Sequence, residues 1–289
     1  MVLPSATSSP GRGRSVLITG CSSGIGHASA LMLRGRGWRV FASCRKAEDC
    51  ARLKVEGFES PRLDLDDARS IEAGLAEVLG ATGGRLDALF NNAAFACPGA
   101  VEDLPPGALR AIFETNLFGL HDLTRRAIPA MRAQGAGRIV NCSSVLGLVG
   151  LRWRGAYVAT KFALEGLTDV LRLEMAGTGI HVSLIEPGPI ATRIRENARA
   201  HFERWVDWRA SPRADEYASL MHRLYGEPQD ASRPDRWELP PHAVAEAVVH
   251  ALESPRPRAR YRVTAPTGAV AALRRVLPTR TLDWVARRA

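Results

Sequence analysis

From Ser15 onward, short runs rich in β-branched residues alternate with stretches of helical periodicity, and this alternation constrains the fold more than any other feature. The apolar runs are Ser15–Thr19, Trp38–Ser43, Phe58–Leu63, Leu86–Asn91, Arg138–Cys142, His181–Glu186 and Arg260–Thr264. Helical patterns fill the gaps, notably Gly24–Arg36, Pro106–Arg132, Gly155–Ala176 and Pro241–Leu252. Strands separated by helices of this length are joined by right-handed crossovers, so the expectation is an α/β fold with a doubly wound parallel sheet covered on both faces. Such a sheet binds ligands at the carboxyl ends of its strands. Polar residues and glycines fall at those ends repeatedly: Thr19-Gly20, Asn91-Asn92, Ser143-Ser144 and Pro187-Gly188.

The chain of 289 residues reads as one domain over 15–265, with a late insertion over 192–240 that serves as a substrate lid. Residues 1–14 read as a disordered tail rich in Ser, Pro and Gly, without the apolar core of a secretion signal, and 266–289 as a basic helical extension. The five cysteines, at 21, 44, 50, 97 and 142, form no C-x-x-C pair, which fits a reducing, cytoplasmic setting and gives no metal site. The formal charge of +9 comes from a chain with only three lysines, Lys46, Lys54 and Lys161. Its arginines are dispersed rather than interleaved with aromatics on a basic helix, which argues against nucleic acid as the partner.

Glycines 20, 24 and 26 lie in Thr19-Gly20-Cys21-Ser22-Ser23-Gly24-Ile25-Gly26, between the first strand and the first helix. In that context they let the backbone approach a pyrophosphate, and the N–H groups of the helix start face the anion. An ordinary glycine turn is the plain alternative. The adenosine end is read from the turn after the second strand, Ser43-Cys44-Arg45-Lys46, where no carboxylate is present to bind a ribose 2′-hydroxyl. A guanidinium at Arg45 suits a 2′-phosphate, which points to NADP(H). Solvated surface cations are the alternative. Asp64 and Leu65 are placed to meet the adenine ring, with a local cap as the competing role for Asp64, Asp66 or Asp67.

Tyr157 and Lys161 are four positions apart, hence on one helical face. A free phenol titrates near pH 10, and an ammonium about 6 Å away at an effective dielectric of about 20 supplies roughly 2.8 kcal/mol toward lowering it. The pair therefore makes sense as a tunable general acid/base. Ser144 ends the fifth run, at the carboxyl edge of the sheet, where a hydroxyl can hydrogen-bond a substrate carbonyl or simply cap the strand. Asn116 lies inside a helical stretch at a cost in propensity, to support a local kink, to hold a water beside Lys161, or as an exposed helix residue.

Taken together, Thr19-Gly20-x-x-x-Gly24-Ile25-Gly26, Asp64, Asn91-Asn92-Ala93, Asn116, Ser144, Tyr157-x-x-x-Lys161 and Pro187-Gly188 resemble the short-chain dehydrogenase/reductase family, from Ser15 to at least Val249. The resemblance implies a Rossmann-like sheet and a catalytic tetrad of Asn116, Ser144, Tyr157 and Lys161. It implies that Lys161 also holds the nicotinamide ribose, that Asn92 contacts the cofactor near the adenine-side ribose, and that Ile190 and Thr192 dock the carboxamide. The cofactor-binding set is then Gly20, Ser22, Ser23, Gly24, Ile25, Gly26, Arg45, Asp64, Leu65, Asn92, Tyr157, Lys161, Pro187, Gly188, Ile190 and Thr192. One departure stands out: Ala94 occupies the place of the family's glycine after Asn-Asn-Ala, which bears on the loop above the nicotinamide. The loop and the turn at Arg45 look most like the hydroxysteroid and retinol dehydrogenase branch, and the Arg-Tyr-x-Val-Thr run and basic tail like bacterial aldehyde reductases.

The function expected is NADP(H)-dependent interconversion of a carbonyl and its alcohol, with pro-S hydride transfer and Tyr157 as the proton donor. A non-catalytic NADP(H) sensor or scaffold on the same fold is the competing reading, and it leaves the Tyr–Lys pair without a purpose. A dehydratase or epimerase of the family's extended branch fits the loop spacing less well. Phe202, Trp205, Trp208, Tyr217, Met221, Leu224 and Tyr225 recur at helical spacing on either side of Pro212. Two short lid helices with an aromatic inner face are expected, and with them a bulky apolar substrate. The plain alternative is that these aromatics only anchor the lid. The resemblance implies a homodimer or homotetramer built on Pro106–Arg132 and Gly155–Ala176. The tail's short apolar stripes favour packing across the lid or a subunit interface over membrane contact.

Overall fold

In the computed structural model, which describes residues 13–226 and 237–287, six parallel strands form one sheet in the order β2-β1-β3-β4-β5-β6. They are β1 (Ser15–Ile18), β2 (Arg39–Ala42), β3 (Ala88–Asn91), β4 (Gly137–Cys142), β5 (Ile180–Glu186) and β6 (Arg260–Arg262). The helices are α1 (Gly24–Gly35), α2 (Ala47–Val55), α3 (Ala68–Thr82), α4 (Pro106–Phe113), α5 (Leu120–Ala133), α6 (Gly155–Glu174), α7 (Ile194–Trp205), α8 (Tyr217–Tyr225), α9 (Pro241–Glu253), α10 (Ala265–Val276) and α11 (Thr279–Ala286). Of the tail expected over 1–14, residues 1–12 lie outside the described residues, as do 227–236 of the lid segment and 288–289 of the extension.

Strand alternation sorts the core into two layers. Val16 and Ile18 point to the face covered by α1 and α9, where Leu33, Val244 and Val248 meet them. Leu17 points to the other face, against Ile71 and Leu75 of α3 and Leu123 and Ala127 of α5. Because both faces are covered, the strands read as continuous apolar runs.

Phe58–Leu63 is not a strand of this sheet. Its backbone pairs with β2 and the turn after it at isolated bridges, Phe41 with Glu59 and Cys44 with Arg62. Pro61 lies between those two points and has no N–H to donate, so the ladder is broken there. The expected helix Pro106–Arg132 is likewise not uniform: a π-helical turn, Glu114–Gly119, separates α4 from α5. Asn116 sits in that turn, fully buried, and is not the exposed helix residue of one reading. A π-turn widens the helix and aims such a side chain inward. Gly119 closes the turn against α3's approach loop, where a Cβ would stand 1.9 Å from the Leu65 carbonyl oxygen.

Beyond β5, α7 and α8 with a short 3-10 turn, Ala214–Glu216, cover the carboxyl end of the sheet, and Pro212 lies between the two helices. They bring Phe202, Tyr217, Leu220 and Leu224 into a third apolar cluster that also contains Ala156 and Tyr157 of α6. The C-terminal helices fold back on the body. Arg274 of α10 lies over the Phe162 ring at 5.0 Å, and Leu282 and Ala286 of α11 line a groove with Val149 and Leu151.

Candidate functional site

The glycine turn is built by close backbone approach. Gly20 has φ +72°, and a Cβ on it would lie 2.8 Å from Cα of Ala93. A Cβ on Gly26 would lie 2.3 Å from the Gly20 carbonyl oxygen. The Asn92 side chain donates to the carbonyls of Thr19 (3.0 Å) and Gly20 (3.2 Å), and Thr19 Oγ1 accepts from the N–H groups of Asn92 and Ala93. The crevice between β1 and β3, where strand order reverses, is thereby fixed.

Helix α1 starts with neither a side-chain cap at Ser23 nor an acidic residue in its first turn, which suits an anion rather than a carboxylate of the chain. Ser22, Ser23 and Ile25 are half-buried around this turn, and Thr192 closes over it: a Cβ on Gly24 would lie 3.2 Å from its methyl group. Across the crevice, the Pro187 carbonyl accepts from Val145 N at 2.7 Å. A Cβ on Gly188 would collide with Thr264 Oγ1 at 2.1 Å, so that loop lies flat on the start of α10. Ile190 is buried and bridges to Leu239.

Arg45 is exposed, and no carboxylate pairs with it among the described residues, whereas Lys46 approaches Glu48 at 3.8 Å. Burial and then the Arg45 charge depress the pKa of His201 on α7. His201 stacks on Phe95 with ring centroids 3.8 Å apart. Leu65 is buried in the core, and Asp64 Oδ1 accepts from Asp66 N at 3.2 Å in a local turn, not as the helix N-cap of its alternative reading. The helix cap belongs to Asp67, which accepts from Arg69 N.

Tyr157 and Lys161 are both buried on α6, with Lys161 Nζ 5.3 Å from the phenol ring centre. Lys161 donates to the Cys142 carbonyl at the end of β4 at 2.8 Å. The expectation that Lys161 lowers the phenol's pKa does not hold in the free chain. Burial raises the Tyr157 pKa well above its ordinary value, the opposing pull of the facing Ser144 hydroxyl is smaller, and burial also lowers that of Lys161. The physical reason is that burial takes both groups out of water, which disfavours the charged form of each. The phenol is therefore a neutral proton donor in the free chain.

Ser144 Oγ accepts from Leu146 N at 3.1 Å, a cap that leaves its proton free to aim elsewhere. Asn116 clamps the chain after β3: its Oδ1 accepts from Phe95 N at 3.0 Å, and its Nδ2 donates to Phe95 O (2.9 Å) and Thr160 Oγ1 (3.3 Å). That links the π-turn to the tyrosine-bearing turn of α6.

Two features went unread in the sequence. A buried polar chain crosses the sheet, with Asn91 donating to Thr124 and Asn141, and Asn141 donating to Thr168 on α6. Asn91 and Asn141 are register partners, and polar residues near the ends of two neighbouring apolar runs were its signal. Trp153 has φ +65°, a left-handed conformation costly for a bulky side chain, and packs on Tyr217 with ring centroids 4.6 Å apart. Nothing in local sequence marks it. All five cysteines are free and buried, and no metal-binding group of side chains occurs among the described residues.

The likenesses to known proteins agree with this geometry. The short chain dehydrogenase family profile matches residues 14–203. The chain is 43% identical over 272 residues to the uncharacterized oxidoreductase YbbO of Escherichia coli K12, covering 94% of this chain and 93% of that one. It is 34% identical to human 17-beta-hydroxysteroid dehydrogenase type 1, over 86% of this chain and 77% of the relative. A Burkholderia phymatum short chain dehydrogenase/reductase in complex with NAD superposes with a TM-score of 0.75 at 26% identity, covering 91% and 92% of the two chains. A single-substitution variant of actinorhodin polyketide ketoreductase with NADPH gives 0.70 at 29% identity, covering 89% and 97%. A crevice at the strand-order reversal, a glycine turn feeding an uncapped helix and a buried Tyr–Lys helix turn are accounted for together: this chain belongs to the short-chain dehydrogenase family of oxidoreductases.

Proposed function

We propose that the protein is an NADP(H)-dependent reductase of aldehydes or ketones, with Asn116, Ser144, Tyr157 and Lys161 as its catalytic group. The observation that carries this reading is the joint placement of a neutral, buried phenol, a buried lysine and a serine hydroxyl at the crevice mouth. A structural or sensing protein has no use for that combination. The residues fit a dinucleotide: Gly20 and Gly26 permit the close backbone approach a pyrophosphate needs, and the α1 terminus lacks any acid to compete with it. When bound, the nicotinamide supplies the hydride. Tyr157 donates the proton from its hydroxyl, Ser144 holds the carbonyl oxygen, Lys161 orients the ribose beside Tyr157, and Asn116 holds the Phe95 loop against α6. Arg45, unpaired and exposed, takes the 2′-phosphate.

Phe202, Tyr217, Leu220 and Leu224 are fully buried in one cluster with Tyr157 and anchor the lid, and the partly buried Trp205, Trp208 and Met221 at the margin of that cluster are the apolar surface offered to a bulky substrate. Closing such a surface excludes water from the reacting carbonyl. The test is NADPH oxidation with straight-chain aldehydes. Each added methylene gains about 0.8 kcal/mol of burial, nearly fourfold in kcat/KM, until the pocket is filled. A flat or falling series rejects the apolar pocket, and no turnover of any carbonyl rejects the reductase.

Arg45→Asp should cost NADPH roughly 10- to 150-fold in affinity, the scale of one charge-assisted contact of about 1.5–3 kcal/mol, and shift preference toward NADH. Fluorescence titration of both cofactors checks this, and an unchanged preference makes Arg45 a bystander.

We further propose a cytoplasmic homodimer or homotetramer. Five buried free thiols suit a reducing compartment. Among the described residues no helix is long and apolar enough to cross a membrane. The outer faces of the π-turn and α6 leave Phe118, Phe162, Val170 and Leu173 exposed, an apolar surface a second copy would cover. Light scattering at micromolar concentration should show more than a monomer, and a stable monomer rejects the assembly.

A further inference from the structure

Beside the tyrosine end of α6, a cleft of about 150 Å³ lies between the loop before α6, the lid helix α8 and the C-terminal helix α11. Four arginines line it: Arg152 and Arg154 from the loop, Arg223 from α8 and Arg287 from α11. Among the described residues no Asp or Glu lines the cleft. Arg152 is paired with Glu216 across its rim. No carboxylate pairs with Arg154, Arg223 or Arg287 among the described residues.

Arg154 is the half-buried member, at the cap position of α6 and three residues before Tyr157. Burial, together with the charges of Arg223 and Arg195, depresses its pKa, so the cluster is held together at an electrostatic cost. Arg195 itself has only a long contact to Glu238, at 3.9 Å. The strained turn at Trp153 sits between the two loop arginines and is fixed by Gly99 N donating to its carbonyl at 3.0 Å. The guanidinium groups of Arg154, Arg223 and Arg287, brought together from three separate elements without a carboxylate partner, match the forked geometry of a carboxylate.

We propose that this cleft binds the carboxylate of a substrate whose carbonyl is presented to Tyr157, so that the natural substrates are amphiphilic oxo-acids rather than neutral compounds. The proposal rests on the reductase reading. The apolar part of the cleft lining suits the rest of such a molecule: Trp153 and Leu220 line the cleft and pack in the same apolar cluster as Tyr157.

The experiment compares an ω-oxo fatty acid, its methyl ester and the n-alkanal of equal length under NADPH oxidation, at low and high salt. The acid should be favoured over the ester by about tenfold in kcat/KM, the scale of a charge-assisted contact, with the ratio shrinking as salt rises. In Arg223→Gln/Arg287→Gln, both exposed positions, the acid-to-ester ratio should fall toward one, and Arg223→Glu should bring it below one. A wild-type ratio near one, or a ratio unmoved by these substitutions, overturns the carboxylate site while turnover of ester and alkanal leaves the reductase reading standing. If no carbonyl compound is reduced, that reading falls. The cleft is then judged by calorimetric binding of a saturated fatty carboxylate against the matching alcohol. Tighter carboxylate binding that the double variant abolishes supports the site, and equal binding overturns it. An ω-phosphorylated aldehyde favoured above the oxo-acid overturns the assignment of a carboxylate in particular.

Discussion

Tyr157→Phe should lower turnover by at least about 10²-fold, the ordinary scale for losing a general acid, while dinucleotide affinity stays close to that of the parent chain. The substitution removes one oxygen from a ring that is 8% exposed and packed with Ala156, Phe202 and Leu220, so the cluster keeps its volume. Lys161 keeps its bond to the Cys142 carbonyl and remains available to the cofactor. What disappears is the proton donor. Burial keeps the phenol protonated, so in the reducing direction the reactive form is present at neutral pH and is lost only as pH rises through the raised pKa. Steady-state NADPH oxidation and fluorescence titration measure the two quantities separately. Turnover within a few-fold of the parent would remove Tyr157 from the mechanism. Loss of cofactor affinity would instead assign it a binding role.

Arg260→Met should destabilise the fold by about 3–5 kcal/mol, the usual result of leaving buried charges unpaired. Arg260, at the start of β6, bonds Glu186 (2.6 Å), Asp169 (2.6 Å) and Glu165. Glu186 is fully buried and the Glu165 side chain is 8% exposed, so removal of the guanidinium strands both. Arg262 reaches Glu186 at 3.4 Å and compensates only one of them. The pH dependence has a definite sign. Burial raises the Glu165 pKa, so the folded state holds its proton more tightly than the unfolded chain, and this group's contribution to stability falls as pH rises. Without Arg260 that effect grows, and the deficit should be larger at about pH 8 than near pH 5, where carboxyls begin to protonate. Urea midpoints at both pH values test this. A destabilisation under about 1 kcal/mol, obtained from the midpoint shift and the denaturant slope, or a deficit independent of pH, would show that water reaches the cluster. Because Glu165 and Asp169 are on α6, this cluster also ties the Tyr157 helix to β5 and β6.

Much of the fold was legible because its signals are local. Alternating apolar runs and helical periods name the elements, and the glycine spacing after Ile18 announces the turn into α1. Helices α7 and α8 lie on either side of Pro212 where the aromatic spacing put them, although Trp208 falls beyond the end of α7. Phe58–Leu63 misled because its composition is that of a strand while Pro61 removes a donor in its middle. Pro106–Arg132 hid a π-turn because a helical period does not distinguish the wider turn from its neighbours, and only the side chain of Asn116, bonded across to Phe95 and Thr160, requires it.

The order of strands and helices, the glycine turn over residues 19–26 and the Tyr157–Lys161 spacing could be read from the chain, since each depends on residues within a turn or two of one another. The tertiary structure alone decided the environment of those groups. Whether Lys161 or burial sets the Tyr157 pKa depends on how much water the third apolar cluster excludes, and that cluster draws on distant segments of the chain, including Tyr217 of the lid. The partners of Arg260 lie 74 to 95 residues off, and the arginines of the cleft come from a loop, a lid helix and the C-terminal helix. Charge interactions depend on distance and solvent access, and neither is encoded in the spacing of residues along the chain.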